Sequence, residues 1–304
     1  MSVSHTPGTP TGISLRQILP QATFLNTDDV SVASCAGNLN ECQSRDLFVA
    51  LVGAEHDGHE DAELAVRKGA AAVLGERLLP ISSPQCIVED SREAYGKICH
   101  ALAGNPSGRM TTVGVSGTDG KTTTAHLIHS IFAAAGIESG LQSSLHNKCR
   151  GQSGSSQPTP PALADRLARM VTSGNRAAVV ETSSPALAGR LFAGTQLDVA
   201  VLTNLRGSHF HLHNTLANYQ RTQLRLLDHL KPEGVAILNA DDPATWFRLP
   251  KINRSALTIG MRQQADITAR ILESDLFEQT FLMTAGEESV PVRTRIPGDH
   301  HVYN

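Results

Sequence analysis

The sequence predicts an α/β protein, in which a small N-terminal α/β domain precedes a larger, doubly wound domain with a mostly parallel sheet. Nearly continuous apolar runs at 177–180, 199–203 and 235–238 are typical of strands that are buried on both faces of a parallel sheet. Helix-like stretches near 162–171 and 216–230 separate these runs. Because strands and helices alternate, an open, doubly wound sheet is favoured.

The N-terminal part has its own alternation. An apolar run at 47–52, a helical stretch at 61–68 and a second apolar run at 70–74 predict strand, helix and strand. The segment at 104–108, GNPSG, is dense in turn residues and indicates a domain boundary. Shorter β-like pieces at 256–296 predict a small side sheet. The predicted organisation is a flexible tail at residues 1–12, an N-terminal domain at 13–107 and a second domain at 108–304.

A glycine-rich loop is the most informative segment for function. Residues 114–124 read GVSGTDGKTTT, follow the predicted strand at 110–116 and open a predicted helix at 122–135. This context is that of a phosphate-binding (P-loop) turn, in which glycines allow close approach of a polyphosphate and a lysine reaches the β- and γ-phosphates. Val115 stands at the place of the first glycine of the general pattern, so an ordinary strand-to-helix turn is the alternative. The predicted nucleotide-binding residues in the loop are Gly117, Thr118, Asp119, Gly120, Lys121, Thr122 and Thr123.

Composition narrows the function classes. The 304 residues carry a formal net charge of -3, with 26 Lys and Arg against 29 Asp and Glu, so no basic surface for nucleic acid or a membrane is indicated. No apolar run approaches the roughly 18 residues of a membrane span, and the N-terminus lacks a secretory pattern. The five scattered cysteines form no CxxC pair and indicate free thiols. We therefore expect a cytoplasmic protein.

The form GTxGKTT resembles the loop of the Mur ligases and of their folylpolyglutamate synthetase relatives. Further segments are similar to the Mur branch that acts on UDP-N-acetylmuramoyl-dipeptide, the tripeptide synthetases. They are LFVAL with DGH at 47–59, KGAAAV at 68–73, GNPS at 104–107, ETSS at 181–184, TNL at 203–205, Tyr219, NADD at 239–242 and PGDHHVYN at 297–304. The resemblance implies a uridine-nucleotide-binding-like first domain and a central ATPase domain. It also implies that the family's C-terminal, amino-acid-binding domain is missing, either through truncation or because a separate partner supplies it.

The resemblance further implies ATP and Mg²⁺ as cofactors and assigns roles to residues. The implied catalytic residues are Lys121, Glu181 and His209, and the implied Mg²⁺ contacts are Thr122, Glu181 and His209. Asn239 and Asp242 would lie near the nucleotide, whereas Thr159, Ser184 and Arg190 would contact the UDP-N-acetylmuramoyl-peptide substrate. For Glu181 the alternative is a helix N-terminal acid. His209 belongs to a cluster with His211 and His213, which a solvated polar loop explains at least as well as a transition-metal site does.

Several positions depart from the family pattern. Ser208 stands where the family commonly has aspartate, and Pro185 where it usually has histidine. Gln223 occupies the place of a lysine that the family carbamylates; an amide nitrogen takes up no CO₂, so a negative metal ligand is lost there. The segment at 38–40, NLN, replaces the DSR of the uridine domain.

Two alternative functions are therefore considered for this chain. The first is an ATP-dependent ligase that adds an amino acid to UDP-N-acetylmuramoyl-dipeptide through an acyl phosphate, forming a C–N bond in peptidoglycan synthesis. The second is a catalytically impaired paralogue that binds nucleotide or precursor without ligation, which the replacements at Ser208 and Gln223 favour. A folylpolyglutamate synthetase is disfavoured by the separate N-terminal unit.

Overall fold

The computed structural model describes residues 12–53, 56–143, 147–148, 159–206, 213–247 and 255–304. The chain divides into two compact units, of which one ends at Asn105 and the other begins at Pro106. This division lies inside the turn-rich segment at 104–108. The expected tail lies outside the described residues apart from Gly12.

The first unit is built from short strands. Its described strands are β1 (Ile13–Ser14), β2 (Thr23–Leu25), β3 (Ser31–Val32), β4 (Cys35–Ala36), β5 (Leu47–Val49), β6 (Ala72–Gly75) and β7 (Gln85–Ile87). Its described α-helices are α1 (Leu15–Ile18), α2 (Ala62–Arg67) and α3 (Ser91–Leu102). One sheet has the order β2-β7-β6-β5-β4, in which β4 to β7 run parallel and β2 pairs antiparallel at the edge. The remaining pair, β1 and β3, is antiparallel.

Burial explains why the apolar runs of the first unit form strands. All three residues of β5 and all four of β6 are buried, as expected for central strands of a parallel sheet. Helix α3 begins after Asp90, whose side chain accepts a hydrogen bond from the Glu93 amide and so caps the helix. The thiols of Cys35, Cys42, Cys86 and Cys99 are free.

The second unit contains one extended sheet. Its described strands are β8 (Thr111–Ser116), β9 (Ser139–Gln142), β10 (Asn147–Lys148), β11 (Ala177–Glu181), β12 (Leu197–Leu202), β13 (Leu230–Asn239), β14 (Ser255–Gly260), β15 (Ile267–Ser274), β16 (Gln279–Ala285) and β17 (Glu288–Thr294). Their order is β10-β9-β11-β8-β12-β13-β14-β15-β16-β17. In this order, neighbouring strands from β9 through β15 pair in parallel, and β10 pairs antiparallel with β9 at the edge. Strand β16 pairs antiparallel with both β15 and β17.

Helices cover both faces of this sheet. The described helices of the unit are α4 (Lys121–Ala134), α5 (Pro160–Thr172), α6 (Ser184–Ala188), α7 (Leu216–Leu224), α8 (Pro243–Trp246) and α9 (Asp299–Val302). Successive strand residues point to opposite faces. Val179 and Val201 accordingly pack with Ala125 of α4, whereas Ala178 and Ala200 belong to the core that contains α5 and α6. The doubly wound, mostly parallel fold that the sequence predicts is confirmed.

Two details of the sequence prediction are wrong. The helix expected at 216–230 ends as α7 at Leu224 and continues only as a 3-10 turn at Arg225–His229. The pieces at 256–296 do not form a separate side sheet, because β14 pairs with β13 on one side and with β15 on the other. The antiparallel strands therefore extend the main sheet.

Candidate functional site

The candidate site lies where three neighbouring parallel strands end. Strands β11, β8 and β12 are adjacent in the sheet, so their carboxyl ends meet at one edge. The glycine-rich loop follows β8 at this edge and leads into α4. Ligands of open α/β sheets bind outside the carboxyl ends of the strands. The topology therefore brings the loop, the end of β11 and the end of β12 together.

The two loop glycines adopt conformations that other residues rarely take. Gly117 has φ of +140° and Gly120 has φ of +80°. A Cβ atom at Gly117 would lie 2.1 Å from the Thr203 hydroxyl oxygen, so both the conformation and the space require glycine. Gly120 is the N-cap of α4 and provides no side-chain cap. The first-turn amides of α4 therefore form the kind of helix N-terminus that attracts an anion.

Lys121 is the first residue of α4 and is half-buried. Its ammonium Nζ donates a hydrogen bond to the carbonyl oxygen of Thr118, 2.8 Å away. Burial lowers the pKa of Lys121, while the negative charges of Glu181 and Asp119 act in the opposite direction. A cation that is partly removed from water and placed over the loop interacts strongly with an incoming phosphate.

Thr122 and Glu181 meet across the site. Glu181 ends β11 and is buried, and its Oε1 accepts a hydrogen bond of 2.8 Å from the Thr122 hydroxyl. A hydroxyl and a carboxylate are the hard oxygen ligands that Mg²⁺ takes in nucleotide sites. These two side chains therefore fit the chemistry of the metal ion that the resemblance implies.

The remaining loop residues contact Asn204, just after β12, and Tyr219 within α7. The Thr118 hydroxyl lies 2.9 Å from the Tyr219 hydroxyl, and the Thr118 amide donates to the Asn204 carbonyl at 2.9 Å. The Asp119 amide donates to Asn204 Oδ1 at 3.2 Å. Thr123 is the third residue of α4 and is half-buried.

Asn239 and Asp242 organise the strand ends beside the loop. Asn239 Nδ2 donates to the Thr203 carbonyl at 3.1 Å. Asp242 Oδ2 accepts from the Leu205 amide at 2.6 Å, and its Oδ1 accepts from the Ala244 amide at 2.8 Å, which caps α8. Both side chains therefore bond the backbone, Asn239 at the end of β13 and Asp242 just after it.

The expected substrate contacts lie on two segments. Ser184 and Arg190 follow Glu181 at the start of α6 and just beyond its end, and Ser184 is buried. Arg190 has φ of +59°. Thr159 precedes α5, where it is exposed and makes no side-chain cap.

One expected catalytic residue, His209, lies outside the described residues together with Ser208 and His211. Of the histidine cluster, His213 is described, and its ring packs edge-on against Tyr219 with the ring centroids 5.4 Å apart. Among the described residues, no group of three or more His, Cys, Asp or Glu side chains is arranged to hold a metal ion.

Gln223 is buried behind the loop, and both the oxygen and the nitrogen of its amide are hydrogen-bonded. Its Oε1 accepts from the Ser116 hydroxyl at 2.5 Å, and its Nε2 donates to the Gly117 carbonyl at 3.2 Å and to the Tyr219 hydroxyl at 2.9 Å. Thr203 and Asn204 hold the other end of the loop. The sequence pattern singled out these positions only through the family resemblance; the available signal was that polar residues follow an apolar strand directly at the end of β12.

The sheet order and the loop define a P-loop α/β protein. A family model for the Mur ligase middle domain matches residues 115–304, which is more than half of the chain. The chain belongs to the Mur ligase family.

Known relatives carry ligase names. The chain is 33% identical over 287 residues to the UDP-N-acetylmuramoyl-L-alanyl-D-glutamate--2,6-diaminopimelate ligase of Parabacteroides distasonis, covering 92% of this chain and 58% of that protein. It is 34% identical over 271 residues to the enzyme of the same name from Geobacillus kaustophilus, covering 86% of this chain and 55% of that one. The chain thus spans less than two thirds of the length of these relatives.

Solved structures share the fold. The structure of a UDP-N-acetylmuramoyl-L-alanyl-D-glutamate--2,6-diaminopimelate ligase superimposes with a TM-score of 0.82 at 22% identity, covering 96% of this chain and 61% of that one. The MurF ligase of Thermotoga maritima in complex with ADP superimposes with a TM-score of 0.57 at 23% identity, covering 89% of this chain and 60% of that one.

In the part of the chain that the structure describes, no helix combines the length and the apolar character needed to cross a bilayer.

Proposed function

We propose that this chain binds ATP with Mg²⁺ and UDP-N-acetylmuramoyl-L-alanyl-D-glutamate, and that it performs the ATP-dependent step of adding an amino acid to this precursor. The observation that carries the proposal is the hydrogen bond between Thr122 and Glu181 beside Lys121 and the α4 N-terminus. This arrangement supplies a cation, backbone donors and two hard oxygen ligands at one sheet edge. Such a set suits a nucleoside triphosphate and Mg²⁺.

The reaction class follows from the names of the relatives. A carboxylate oxygen of the precursor attacks the γ-phosphorus of ATP, the bond to the β-phosphate oxygen breaks, and ADP leaves. The amine of an amino acid then attacks the acyl phosphate, releases phosphate and forms the C–N bond. The protein forms no covalent bond in such a phosphoryl transfer. Its tasks are to position the reactants and to neutralise the negative charge of the phosphates.

Each residue has one task in this proposal. Lys121 Nζ would move from the Thr118 carbonyl to the β- and γ-phosphates, and the first-turn amides of α4 would bind phosphate oxygens. Thr122 and Glu181 would hold Mg²⁺, which neutralises phosphate charge when bound. His209 remains a proposed contact on the basis of the resemblance alone.

The proposed substrate contacts lie on two segments of the second unit. Ser184 and Arg190 follow the strand end that carries Glu181, so a precursor bound by them would lie at the same sheet edge as Glu181. Thr159 would contact the same precursor from the start of α5. We propose that the first unit binds the uridine nucleotide, with the NLN segment at 38–40 modifying that recognition.

The first test is isothermal titration of the purified chain with a non-hydrolysable ATP analogue and, separately, with UDP-N-acetylmuramoyl-L-alanyl-D-glutamate, both with Mg²⁺. We expect both ligands to bind. Binding of ATP alone would move the proposal to another acceptor or to a nucleotide-binding role without ligation. Failure of both ligands to bind would contradict it.

A further inference from the structure

Three consecutive carbonyl groups of the phosphate loop are each held by a side-chain donor. The Gly117 carbonyl accepts from Gln223 Nε2 at 3.2 Å, and the Thr118 carbonyl accepts from Lys121 Nζ at 2.8 Å. The Asp119 carbonyl accepts from Asn204 Nδ2 at 3.0 Å and from the Thr203 hydroxyl at 2.6 Å. In the proposed nucleotide complex Lys121 turns to the phosphates, so the Gly117 and Asp119 carbonyls are the ones that stay held, by Gln223, Asn204 and Thr203.

The direction of these carbonyls matters for phosphate binding. A carbonyl oxygen carries partial negative charge, so a loop peptide that flipped its oxygen towards the phosphates would repel them. Gly117 lacks the side chain that would otherwise limit such a flip. Because Gln223 and Thr203 are buried, the donors they supply direct the Gly117 and Asp119 carbonyls into the protein.

Asn204 hydrogen-bonds the backbone of the loop through its side chain and its own carbonyl. Its Oδ1 accepts from the Asp119 amide at 3.2 Å, and its Nδ2 donates to the Asp119 carbonyl at 3.0 Å. Its own carbonyl accepts from the Thr118 amide at 2.9 Å. The Asn204 side chain, just after β12, therefore bonds both the amide and the carbonyl of Asp119.

Gln223 holds the opposite end of the loop with a neutral group. Its amide bonds Ser116 and the Gly117 carbonyl directly, and through the Tyr219 hydroxyl it reaches the Thr118 hydroxyl. Because every partner is neutral, the buried amide is satisfied without adding charge beside the phosphate site.

We propose that Asn204 and Gln223 are positioning residues that preset the phosphate loop for the β- and γ-phosphates of a nucleotide. They act through the loop, since their side-chain amides bond loop backbone. Thr203 supports Asn204 at the Asp119 carbonyl. This inference rests on the proposed nucleotide binding and adds residues that shape the site.

The test compares two buried glutamines of α7. Gln223→Met removes the bond to the Gly117 carbonyl, whereas Gln220→Met removes a bond of 3.1 Å to the Leu205 carbonyl, outside the loop. Affinities for a non-hydrolysable ATP analogue, ADP and AMP are measured by calorimetry with Mg²⁺, alongside the thermal midpoint of each variant. We expect Gln223→Met and Asn204→Ala to lose about 10-fold in affinity for the ATP analogue and ADP but less than about 2-fold for AMP, and Gln220→Met to keep the wild-type ratios.

Dependence on the number of phosphates separates positioning from general destabilisation, which would weaken all three nucleotides alike. Equal losses for ATP analogue, ADP and AMP, or the same pattern in Gln220→Met, would overturn the inference while leaving the proposed function intact. If wild-type protein binds no nucleotide, both fail. Should Gln223→Met not fold, Thr203→Val and Thr203→Ser decide: the valine variant should show the selective loss and the serine variant, which keeps the hydroxyl, should reverse it.

Discussion

The Thr122 hydroxyl donates a 2.8 Å hydrogen bond to Glu181 Oε1, joining the first turn of α4 to the end of β11. Helix α4 follows β8, which pairs in parallel with β11. The bond orients the buried carboxylate towards the helix N-terminus, where its charge also acts on Lys121.

Lys121→Ala should lower the affinity for an ATP analogue by about 100-fold or more, because it removes the cation that pairs with the β- and γ-phosphates. Calorimetry with Mg²⁺ measures the loss. Lys231→Ala is the matched control: Lys231 is also partly buried, but its Nζ bonds Asp198 at 2.7 Å near the start of β12 and β13. Unchanged affinity in Lys121→Ala would contradict the assignment of the loop.

Glu181→Gln should weaken binding of the ATP analogue about 10-fold in the presence of Mg²⁺. Without Mg²⁺ the same variant should bind as tightly as the wild type or more tightly, because it removes a negative charge beside the phosphates. Titrations with Mg²⁺ and with a chelator separate the two effects. A loss of equal size in both conditions would mean that Glu181 supports the fold rather than the metal ion.

The location of this candidate site could be predicted from sequence because the residues that indicate it are consecutive in the chain. A β-branched strand, glycines at 117 and 120, and a helix that begins with Lys121 follow one another without interruption. Glu181 could be placed because parallel strands end at one edge, so an acid that follows an apolar run faces the loop. The chain order of strands and helices places both features at one sheet edge, whereas the role of Glu181 as a metal contact comes from the family resemblance.

The holding of the loop could not be predicted in the same way. Gln223 bonds the Gly117 carbonyl across 106 residues of sequence, and Asn204 bonds Asp119 across 85. These bonds depend on how α7 and the end of β12 pack, which no periodicity encodes. The prediction of a separate side sheet at 256–296 was wrong for a related reason. The pattern of apolar residues does not specify that β14 pairs with β15.

The DGH segment of the first unit has a structural role that the sequence did not reveal. The His59 side chain is buried; its Nε2 accepts from the Glu76 amide at 2.8 Å, so its Nδ1 carries the proton and donates to Asp57 Oδ1 at 2.6 Å. Arg77 bonds the other oxygen of Asp57 at 2.7 Å. The segment thus links the start of the 3-10 turn at Gly58–Asp61 to the residues after β6.

This arrangement gives a pH-dependent prediction for Asp57. The hydrogen bond from the His59 amide, followed by those from Arg77 and the His59 ring, holds the pKa of Asp57 well below its ordinary value. A group with a lowered folded-state pKa stabilises the fold above its unfolded pKa, about 3.9, and the contribution disappears as the pH falls. Asp57→Asn should therefore destabilise the first unit at pH 7, and its difference from wild type should shrink below about pH 4.

The measurement is urea unfolding at several pH values, each sample receiving a brief hydrogen-exchange pulse before mass spectrometry of peptides from residues 47–87. Glu63→Gln is the control, because Glu63 forms an exposed ion pair with Arg67 that contributes little. A difference between Asp57→Asn and wild type that persists unchanged at pH 3 would refute the role of the charge.

Asp241 accepts hydrogen bonds both from the C-terminal turn of the second unit and from the turn after β14. The Tyr303 hydroxyl donates to Asp241 Oδ2 at 2.7 Å, and the amides of Met261, Arg262 and Gln263 bond the same carboxylate. Burial would raise the pKa of Asp241, but the hydrogen bonds, with the Met261 amide foremost, hold that pKa below its ordinary value. Burial, with the bond to Asp241, raises the pKa of Tyr303 to about 12.

Tyr303→Phe removes one of four donors from a charged acceptor, and we expect a loss of about 1–2 kcal/mol in the local stability of residues 296–304. Asp241→Asn should cost more, because it weakens all four bonds and exchanges a charged acceptor for a neutral one. Its difference from wild type should be present at pH 7 and decrease as the pH falls below about 4, since protonation removes the same charge. Hydrogen exchange of the 296–304 and 255–266 peptides measures both. If Tyr303→Phe loosens only the first peptide while Asp241→Asn loosens both, Asp241 is the residue that joins the C-terminal turn to the turn after β14; equal effects of the two variants would place that role on Tyr303 instead.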